Sequence, residues 1–370
     1  MKKILFLVTK GDNIGGAQIY AKELAIKFHQ DNYGITVVSG NEGAFTNQIE
    51  SENIPIIIAK HLKVSIHPLH DVLALFQLIN IIRKEKPDLV CINSSKSGIL
   101  GRLACWITKT KNVFVVHGWS FTDGISKIKI FIFKLIEKSL KRISNYWVCV
   151  SDFDYQLGLK SKVINPKNTL VIKNGIKDKK IEKSSEKNNS QTTTLIFIAR
   201  HDHQKDHKTV FNAIKEIDNI HVLLIGDGPL FEKNKKLALN LGIENKLSFL
   251  GYQKNVEQFL SKADIFILVS NWEGFPLSTL EAMSAGLPII VTNVGGAAEA
   301  IKNNVEGFVI SKGDIEALNN KIKLLQRDLP LRLQMGNAAR ESYLNNFTFE
   351  KNYLKTKKFF DIILTNSNLV

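Results

Sequence analysis

Short apolar runs rich in β-branched residues alternate with longer segments of helical periodicity along most of the chain. This alternation is typical of strand–helix–strand crossovers, which join parallel strands. The predicted strands are Ile4–Val8, Ile35–Val38, Pro55–Ala59, Leu89–Asn93, Val113–His117, Trp147–Ser151, Leu170–Lys173, Leu195–Ala199, Val222–Ile225, Leu247–Leu250, Ile265–Val269, Ile289–Thr292 and Phe308–Ile310. Helices are predicted near residues 17–30, 69–84, 97–109, 126–142 and 152–160, with a mostly helical tail from about 314. The sequence therefore predicts an α/β fold of doubly wound parallel sheets.

A polar segment in the middle of the chain interrupts the alternation once. Between Lys177 and Thr194 the one apolar residue is Ile181, so this run cannot contribute to a core. The segment predicts an inter-domain linker, and 370 residues are enough for two sizeable cores. Because open α/β sheets bind ligands at the carboxyl ends of their strands, we expect a site in a cleft between two domains.

The excess positive charge lies almost entirely in the first half of the chain. Residues 1–180 contain 27 Lys and Arg against 14 Asp and Glu, whereas residues 181–370 contain 23 against 21. This asymmetry favours a polyanion or an anionic membrane surface as a partner of the first half, although solvated lysine-rich faces would give the same count. The sequence has no zinc-finger spacing, RNP-like aromatic signature or basic-zipper heptads, so we expect no nucleic acid partner.

Cysteine usage and hydropathy predict a cytoplasmic location. Cys91, Cys105 and Cys149 are too few and too scattered for a disulfide framework, and they lie in apolar runs. The apolar start of the chain ends within a few residues without a small-residue cleavage site. No stretch reaches the roughly 18 apolar residues that a membrane span needs.

Two candidate positions follow strands of the first half. Glycines at the turn after the first strand, Gly15 and Gly16 among them, allow backbone amides to approach a phosphate at a helix N-terminus. The segment has neither the complete dinucleotide fingerprint nor a P-loop, so a plain tight turn is an equal alternative. His117 ends another strand, where a structural role and a ligand contact are both open.

The strand at Leu195–Ala199 leads into a segment rich in basic side chains. His201, His203 and His207 have a spacing that matches no familiar ligand pattern, and neighbouring cations oppose a metal ion, so we expect no metal site. Arg200 and Lys205 instead suit a diphosphate, since the guanidinium has a fixed fork of donors. A further acidic pair, Asp152 and Asp154, resembles a metal-binding D-x-D but is predicted to begin a helix.

The segment Ser270–Met283 contains the largest set of candidate groups. A strand ends at Ser270, and Pro276 suits the first position of a helix whose N-terminal amides can hold an anion. Glu273 lies in the loop and Glu281 lies further along the helix. The two carboxylates are too far apart to share a proton, so we expect them to bind different parts of one long ligand.

The run from Glu273 to Met283 resembles the E-x₇-E signature of the family 4 (GT4) retaining glycosyltransferases, which have the two-domain GT-B fold. Further matching segments follow one another along nearly the whole chain. They are Gly15-Gly16-Ala17-Gln18, His117-Gly118, Asn174-Gly175-Ile176, Ala199-Arg200 with Lys205-Asp206, Ile225-Gly226-Asp227-Gly228-Pro229 and Gly295-Gly296-Ala297-Ala298-Glu299.

The resemblance implies a division of the chain into two Rossmann-like domains facing each other across a cleft. Residues 1–176 would form the acceptor-side domain, 177–194 the linker and 195–350 the nucleotide-sugar-binding domain. Residues 351–370 would form a C-terminal helix that packs back on the first domain. Gln18 and Lys177 stand where the family often has acidic residues, which concerns the acceptor side.

The resemblance also implies roles for individual residues. Arg200 and Lys205 would neutralise the donor diphosphate, Glu281 would hold the ribose hydroxyls, and Glu273 and His117 would lie near the transferred sugar. The implied catalytic residues are Glu273, His117, Arg200 and Lys205. The implied donor-binding residues are Gly15, Gly16, Arg200, Lys205, Glu273, Gly274, Phe275, Pro276, Leu277, Ser278 and Glu281.

The reaction expected from this resemblance is hexosyl transfer from a nucleoside-diphosphate sugar, most commonly a UDP-sugar in the family, to an acceptor hydroxyl with retention. Cationic side chains and amides would stabilise the leaving diphosphate, so no metal or other cofactor is expected. Two alternatives remain open at this stage: a sugar-nucleotide epimerase of the same architecture, and a non-catalytic basic protein that binds membranes or nucleic acid.

The predicted helix at 126–142 combines lysines with apolar residues. Lys127, Lys134, Lys138 and Lys141 fall on one face, and Ile128, Phe131, Ile132, Leu135 and Ile136 supply apolar surface. Docking on anionic lipid and ordinary packing against the core are equally open. Docking would place the protein on the inner face of the cell membrane. The acceptor would be a saccharide or a polyprenyl-linked saccharide in the assembly of lipopolysaccharide O-antigen, capsule or another cell-surface glycan.

Overall fold

The computed structural model of the protein describes residues 1–12, 15–65, 67–122, 124–179, 181 and 192–365. The chain divides into two compact units. The first unit consists of Met1–Asn174 with Asn352–Val370, and the second consists of Gly175–Lys351.

The first unit is built on a seven-stranded sheet with the strand order β3-β2-β1-β4-β5-β6-β7, and every pair is parallel. Its strands are β1 (Lys3–Leu7), β2 (Gly34–Ser39), β3 (Ile56–Ile58), β4 (Leu89–Asn93), β5 (Asn112–Val116), β6 (Tyr146–Cys149) and β7 (Thr169–Val171). The helices between them are α1 (Gly16–Gln30), α2 (Ala44–Glu50), α3 (Pro68–Glu85), α4 (Ser95–Thr108), α5 (Lys127–Leu140) and α6 (Asp152–Lys160). The strands β1 and β4 are buried along almost their whole length, as expected for a sheet covered on both faces.

The second unit has a six-stranded parallel sheet with the order β10-β9-β8-β11-β12-β13. Its strands are β8 (Thr193–Ile198), β9 (Ile220–Ile225), β10 (Leu247–Phe249), β11 (Ile265–Leu268), β12 (Ile289–Thr292) and β13 (Gly307–Ile310). Its helices are α7 (His207–Ile214), α8 (Phe231–Leu241), α9 (Glu257–Leu260), α10 (Leu277–Ser284), α11 (Ile315–Arg327) and α12 (Leu329–Asn346), followed by α13 (Phe349–Leu364). The predicted α/β class and all thirteen predicted strands are confirmed, with ends that differ by at most two residues.

The C-terminal helix α13 begins in the second unit and continues in the first. Phe360 stacks on Phe28 of α1 with ring centroids 5.4 Å apart. Tyr353 donates a hydrogen bond to Asp31 at 2.7 Å, and Lys357 forms an ion pair with the same carboxylate. Together these bonds hold the pKa of Asp31 well below its usual range.

The polar segment after Asn174 differs from the expected linker at its two ends. Asp178 accepts two hydrogen bonds from Arg340, each 2.7 Å long, and Ile176 pairs with Thr348. Ile176 and Asp178 therefore belong to the second unit. Thr193 already lies in β8. Lys180 and residues 182–191 of the predicted linker lie outside the described residues.

A buried ion pair fixes which face of α5 points inward. Arg102 of α4 is fully buried and donates to both carboxylate oxygens of Glu137, at 2.8 and 2.9 Å. Its guanidinium also lies 4.2 Å from the centre of the Phe114 ring. Removing one partner would leave an uncompensated buried charge, so the pair strongly favours a single orientation of α5.

This orientation leaves the opposite face of α5 in solvent. Ile128 and Phe131 are 72% and 63% exposed, and Ile132 and Leu135 are each 47% exposed. Four of the five apolar side chains predicted here therefore face solvent and Ile136 is half-buried, whereas Ile130 and Phe133 pack against the core on the inward face. None of the described helices is long and apolar enough to cross a membrane.

Candidate functional site

An ion pair between Lys205 and Glu273 forms the centre of the candidate site in the second unit. The two side chains are 11% and 6% exposed, and the Lys205 ammonium contacts Glu273 Oε1 directly. The hydroxyl of Ser270 donates to the same oxygen at 2.7 Å, and the amide of Gln204 donates to Oε2 at 3.1 Å. Both carboxylate oxygens are thus bound, which a buried carboxylate requires.

Backbone hydrogen bonds hold the two loops that carry this pair together. The loop after β8 contains Lys205, and the loop after the adjacent strand β11 contains Glu273. Lys205 and Ser270 form an antiparallel bridge between them. The amide of Asn271 donates to the carbonyl of Gln204 at 2.7 Å, and that of Asp206 donates to Val269 at 2.9 Å. The geometry of the ion pair is therefore set by main chain as well as side chains.

A glycine-rich turn after β12 packs directly on the backbone of Glu273. Gly295 has φ +54°, and a Cβ at this position would lie 1.9 Å from the Glu273 carbonyl oxygen. An L-residue would be strained here and would also overlap that oxygen. The loop at Glu273 therefore depends on the absence of a side chain at Gly295.

Arg200 differs from Lys205 in its exposure. Its side chain is 71% exposed, and Asp202 Oδ2 lies 3.4 Å from its guanidinium. The other carboxylate oxygen of Asp202 accepts a hydrogen bond from the backbone amide of Gln204. Arg200 thus provides a solvent-accessible guanidinium on the loop that carries the partly buried Lys205.

The histidines of this loop are not grouped around a common centre. His201 and His207 are buried and stack on each other with centroids 4.1 Å apart, whereas His203 is exposed. Burial lowers the pKa of His201 to about 4 and that of His207 to about 3, so both rings are neutral core residues near neutral pH. Within the described part of the chain, no group of three His, Cys, Asp or Glu side chains could hold a metal ion.

The N-terminus of α10 follows the Glu273 loop. Pro276 occupies the N-cap position with φ −71° and ψ 127°, one residue before the predicted helical position. No side chain caps the helix, so the first amides, those of Leu277 and Ser278 among them, are not bound by a capping group. The hydroxyl of Thr279 in this turn is buried and has no hydrogen-bond partner among the described residues.

Phe275 and Glu281 flank this turn in different environments. The ring of Phe275 is buried and lies 5.7 Å from that of Phe347, so it contributes to packing, and a ligand would meet its backbone. Glu281 is half-buried on α10, and burial raises the pKa of its carboxyl to about 7 although the charge of Lys179 opposes the shift. At neutral pH this carboxyl is therefore close to its midpoint.

The first unit carries the other predicted residues at the carboxyl edge of its own sheet. Gly15 is the N-cap of α1 and Gly16 its first residue, with no side-chain cap. His117 follows β5, and burial lowers its pKa to about 4, so the ring is neutral. Its Nε2 lies 3.0 Å from Oδ1 of Asn93, while the amide nitrogen of Asn93 donates to the Cys91 carbonyl. This arrangement assigns the proton to Nε2 and leaves the lone pair of Nδ1 as an acceptor.

Sequence reasoning missed three residues that hold these groups in place. Gln204 and Ser270 bind Glu273, and Asn93 binds His117. Ser270 and Asn93 are small polar residues at the carboxyl ends of buried strands, a position that could have marked them. Gln204 carries no comparable signal, because its contact depends on how two loops meet.

The chain matches two family models that together span most of its length. The model described as Glycosyltransferase Family 4 matches residues 14–180, and the model described as Glycosyl transferases group 1 matches residues 178–342.

Curated relatives match over nearly their full length. The chain is 27% identical over 354 residues to the UDP-Gal:alpha-D-GlcNAc-diphosphoundecaprenol alpha-1,3-galactosyltransferase of Escherichia coli, with 91% of each chain covered. It is 26% identical over 376 residues to the N,N'-diacetylbacillosaminyl-diphospho-undecaprenol alpha-1,3-N-acetylgalactosaminyltransferase of Campylobacter jejuni, which covers 95% of this chain and 97% of the relative.

A solved structure shares the whole fold. The crystal structure of HepE from Anabaena in complex with UDP and glucose superposes with a TM-score of 0.85 at 19% identity, covering 98% of this chain and 100% of HepE.

The close approach at Gly295 generates a first prediction. We expect Gly295→Ala to destabilise the second unit by about 3 kcal/mol or more, because the new methyl must displace the Glu273 loop. Gly242→Ala is the matched control, since Gly242 also has a positive φ of +67° but nothing within 4 Å of its Cβ position. This control should cost about 1 kcal/mol. Urea unfolding followed by far-ultraviolet circular dichroism measures both, and equal losses would refute the steric argument.

Proposed function

The chain belongs to the family 4 glycosyltransferases, and from this premise we propose that it transfers a hexosyl group from a UDP-sugar to a lipid-linked saccharide with retention at the anomeric carbon. Its two parallel sheets have the GT-B fold of the solved structures to which it is similar. The observation that carries the proposal is the set of donors at one edge of the second sheet. Arg200 and Lys205 lie on the loop after β8. The uncapped start of α10 follows the loop after the adjacent strand β11.

This set of donors suits a leaving diphosphate. In the proposed step the bond between the anomeric carbon and the diphosphate oxygen breaks as a bond to the acceptor oxygen forms on the same face. The acceptor proton passes to a diphosphate oxygen. Negative charge develops on the departing group, and pre-positioned guanidinium, ammonium and amide donors stabilise it without reorganisation. We therefore propose that the reaction needs no metal ion.

Glu273 has two consequences for this step. Its carboxylate holds the Lys205 ammonium in place on the loop after β8 and offsets its charge. The pair therefore orients a hydrogen-bond donor but contributes no net positive charge. Arg200, exposed and only loosely associated with Asp202 at 3.4 Å, then supplies the mobile positive charge. We propose that Glu273 also lies beside the transferred sugar, as its place before α10 allows.

The remaining predicted residues fit the sugar and the nucleoside. A carboxylate at Glu281 can accept hydrogen bonds from both ribose hydroxyls once it is ionised. In the first unit, Nδ1 of the neutral His117 ring can accept a bond from a sugar hydroxyl, and the amides at Gly15 and Gly16 can meet an anion. These assignments extend the roles that the family resemblance implies.

The acceptor is proposed from the relatives. The Escherichia coli and Campylobacter jejuni enzymes are named for saccharides carried on diphosphoundecaprenol, and another relative is named for capsular polysaccharide biosynthesis. We propose a polyprenyl-linked saccharide acceptor in cell-surface polysaccharide assembly. Such an acceptor lies in a membrane, so the protein must reach the bilayer surface.

The outward face of α5 supports docking on anionic lipid. Its exposed apolar side chains lie beside a cavity of about 410 Å³ between α5 and the end of α6. The cavity is lined by Lys134, Lys138, Leu157, Lys160, Ser161 and Lys162. Four ammonium groups around one cavity without a lining carboxylate favour an anion such as a lipid headgroup.

The diphosphate role predicts the effect of two substitutions. Arg200→Ala and Lys205→Ala should each lower kcat/KM by about 10² to 10³-fold and weaken UDP-sugar binding, because each removes a donor from the developing charge. Lys208→Ala, an exposed lysine on the next turn, should leave both unchanged. Lys205→Ala leaves the Glu273 carboxylate buried and unpaired, so thermal unfolding of each variant is compared with that of the wild type to separate loss of stability from loss of the donor. Near-normal kcat/KM in the single variants, or loss of wild-type activity in EDTA, would contradict the proposal.

Glu281 predicts a pH dependence of donor binding. Binding to the ribose needs the ionised carboxylate, so UDP-sugar affinity should rise up to about tenfold per pH unit below pH 7 and level off above it. The diphosphate of a UDP-sugar is esterified at both ends and keeps a constant charge over this range. Glu281→Gln should flatten the profile. Calorimetry from pH 5.5 to 8.5 measures it, and a wild-type profile that is already flat would exclude this role.

The raised pKa of Glu281 also predicts how the stability of the protein changes with pH. Because the folded carboxyl holds its proton more tightly than the unfolded one, its contribution to folding is complete below the ordinary value of 4.5 and is lost as the pH rises through about 7. Glu281→Gln should therefore gain stability relative to wild type at pH 8 but not at pH 4, and differential scanning calorimetry of both proteins at these two pH values measures the difference.

The α5 surface predicts a dependence on lipid charge. Lys134→Glu with Lys138→Glu should weaken partition onto phosphatidylglycerol vesicles by about 2 kcal/mol or more, since each basic residue near the surface contributes about 1 kcal/mol. Lys235→Glu with Lys236→Glu on α8 is the control. Sedimentation measures the bound fraction. Equal binding of all three proteins, or equal binding to phosphatidylcholine, would argue against docking through α5.

A further inference from the structure

A cluster of basic side chains lies where β3 leads into α3, away from the residues already assigned. His61 Nδ1 is 3.4 Å from His70 Nδ1, and the Lys63 ammonium is 3.4 Å from His70 Nε2. The ring of His67, the N-cap residue of α3, lies 4.8 Å from that of His70. These four residues, His61, Lys63, His67 and His70, are termed the histidine cluster.

The charges around the histidine cluster favour an anion. Partial burial and the positive charge of Lys63 lower the pKa of His70, whereas Asp71 acts in the opposite direction. Asp71 is itself paired with Lys96 of α4 at 2.5 Å, so its charge is largely offset. The groups that face His70 are His61 and Lys63 from the preceding loop, His67 and Asp71 from α3, and Lys96 through Asp71. The cluster also lies at the N-terminus of α3, where the helix dipole is positive.

The helix that begins at this cluster presents an apolar stripe to solvent. Leu69, Val72, Leu73 and Phe76 follow the i, i+3, i+4, i+7 spacing of one helical face and are 63%, 51%, 39% and 62% exposed. The opposite face, which includes Leu78 and Ile82, is buried in the core of the first unit. A contiguous exposed apolar stripe on a helix marks a contact with lipid or another apolar partner.

The cluster lies on the same sheet edge as the sugar-side residues. In the order β3-β2-β1-β4-β5, β3 is two strands from β1, which precedes Gly15, and four strands from β5, which precedes His117. At roughly 4.8 Å per strand these separations are about 10 and 19 Å. This leaves room for a saccharide between the cluster and His117.

We propose that the histidine cluster and the α3 stripe bind the lipid diphosphate of the acceptor, with the phosphates at the cluster and the prenyl chain along the stripe. This inference rests on the proposed function, because it needs a membrane-borne acceptor. The imidazoles and Lys63 supply donors to the two phosphates, and protonation of the rings strengthens the contact. The apolar stripe covers part of the chain that the phosphates anchor. Charge at one end of the helix and apolar surface along it match an amphiphile of this kind.

The test measures binding of a farnesyl diphospho-N-acetylglucosamine to the full chain in the absence of donor. The diphosphate of this probe is esterified at both ends and keeps its charge between pH 5.5 and 8.5. Wild-type affinity should increase as the pH falls below about 6.5, because partial burial and Lys63 hold the pKa of His70 under the ordinary value of histidine. The triple variant His61→Gln, His67→Gln, His70→Gln should lose the pH dependence and bind about tenfold more weakly at pH 6. Leu69→Ser with Phe76→Ser should weaken binding at every pH.

Matched controls separate the site from general effects. His29→Gln replaces an exposed histidine of α1 in the same unit, and Leu239→Ser replaces a 63% exposed leucine of α8. Neither should change binding of the probe. Every variant must keep wild-type UDP affinity, which shows that the donor site is intact.

Several outcomes would overturn the inference. Unchanged probe binding by the histidine and stripe variants would do so, as would an equal loss of binding to phosphatidylglycerol vesicles that contain no diphosphate lipid. A stripe buried by self-association, seen as a dimer in size-exclusion chromatography that Phe76→Ser disrupts, would assign the surface to a second copy. Failure to bind the probe with normal UDP binding and sugar transfer to another acceptor would reject this site alone. Failure to bind UDP-sugars would reject the proposed function.

Discussion

Parallel pairing of every strand is the constraint on which the candidate site depends. In a parallel sheet the carboxyl ends meet at one edge, so the loops after the neighbouring strands β8, β11 and β12 emerge side by side. This is why Glu273 contacts both Lys205 and Gly295 although the three residues lie on different loops. The antiparallel bridge between Lys205 and Ser270 then joins two of these loops outside the sheet. The site is thus a product of topology before it is a product of side-chain chemistry.

In the Lys205–Glu273 pair the ammonium is held in a fixed position while its charge is offset by the carboxylate. A buried pair gains little net stability, because the cost of desolvating both ions offsets most of their attraction. Its value here is geometric: Ser270 and Gln204 hold the carboxylate, and the carboxylate holds the ammonium. In the reaction that we propose, an incoming diphosphate would therefore meet an oriented donor whose charge is already compensated. In the proposed reaction net attraction must come from Arg200, which is 71% exposed and only loosely paired with Asp202, and from the amides at the start of α10.

The strands, the helices and the residues at the strand ends could be predicted from sequence, because burial and helical or strand periodicity are recorded in the local order of apolar and polar residues. All thirteen strands were predictable for this reason, and so was the helix that begins at Asp152, where Ser151 caps the amide of Asp154. Contacts between loops leave no such record, which is why Gln204 was missed. Asn93 ends the buried strand β4, but its contact with His117 depends on the order of the strands in the sheet. The orientation of α3 was equally hidden: its sequence from Pro68 to Glu85 is apolar on almost every side, so only packing decides that Phe76 faces solvent and Leu78 does not.

Most of the exposed large apolar residues of the first unit lie on three neighbouring helices, α3, α4 and α5. α4 contacts both α3 and α5, and it contributes exposed Trp106 and Ile107 between the stripes of its neighbours. One layer can meet one plane, so a bilayer surface can contact all three helices together. The same unit carries almost all of the excess positive charge, whereas the second half of the chain is nearly neutral. The membrane docking that we propose for the first unit and the diphosphate binding that we propose for the second therefore use separate sets of cations.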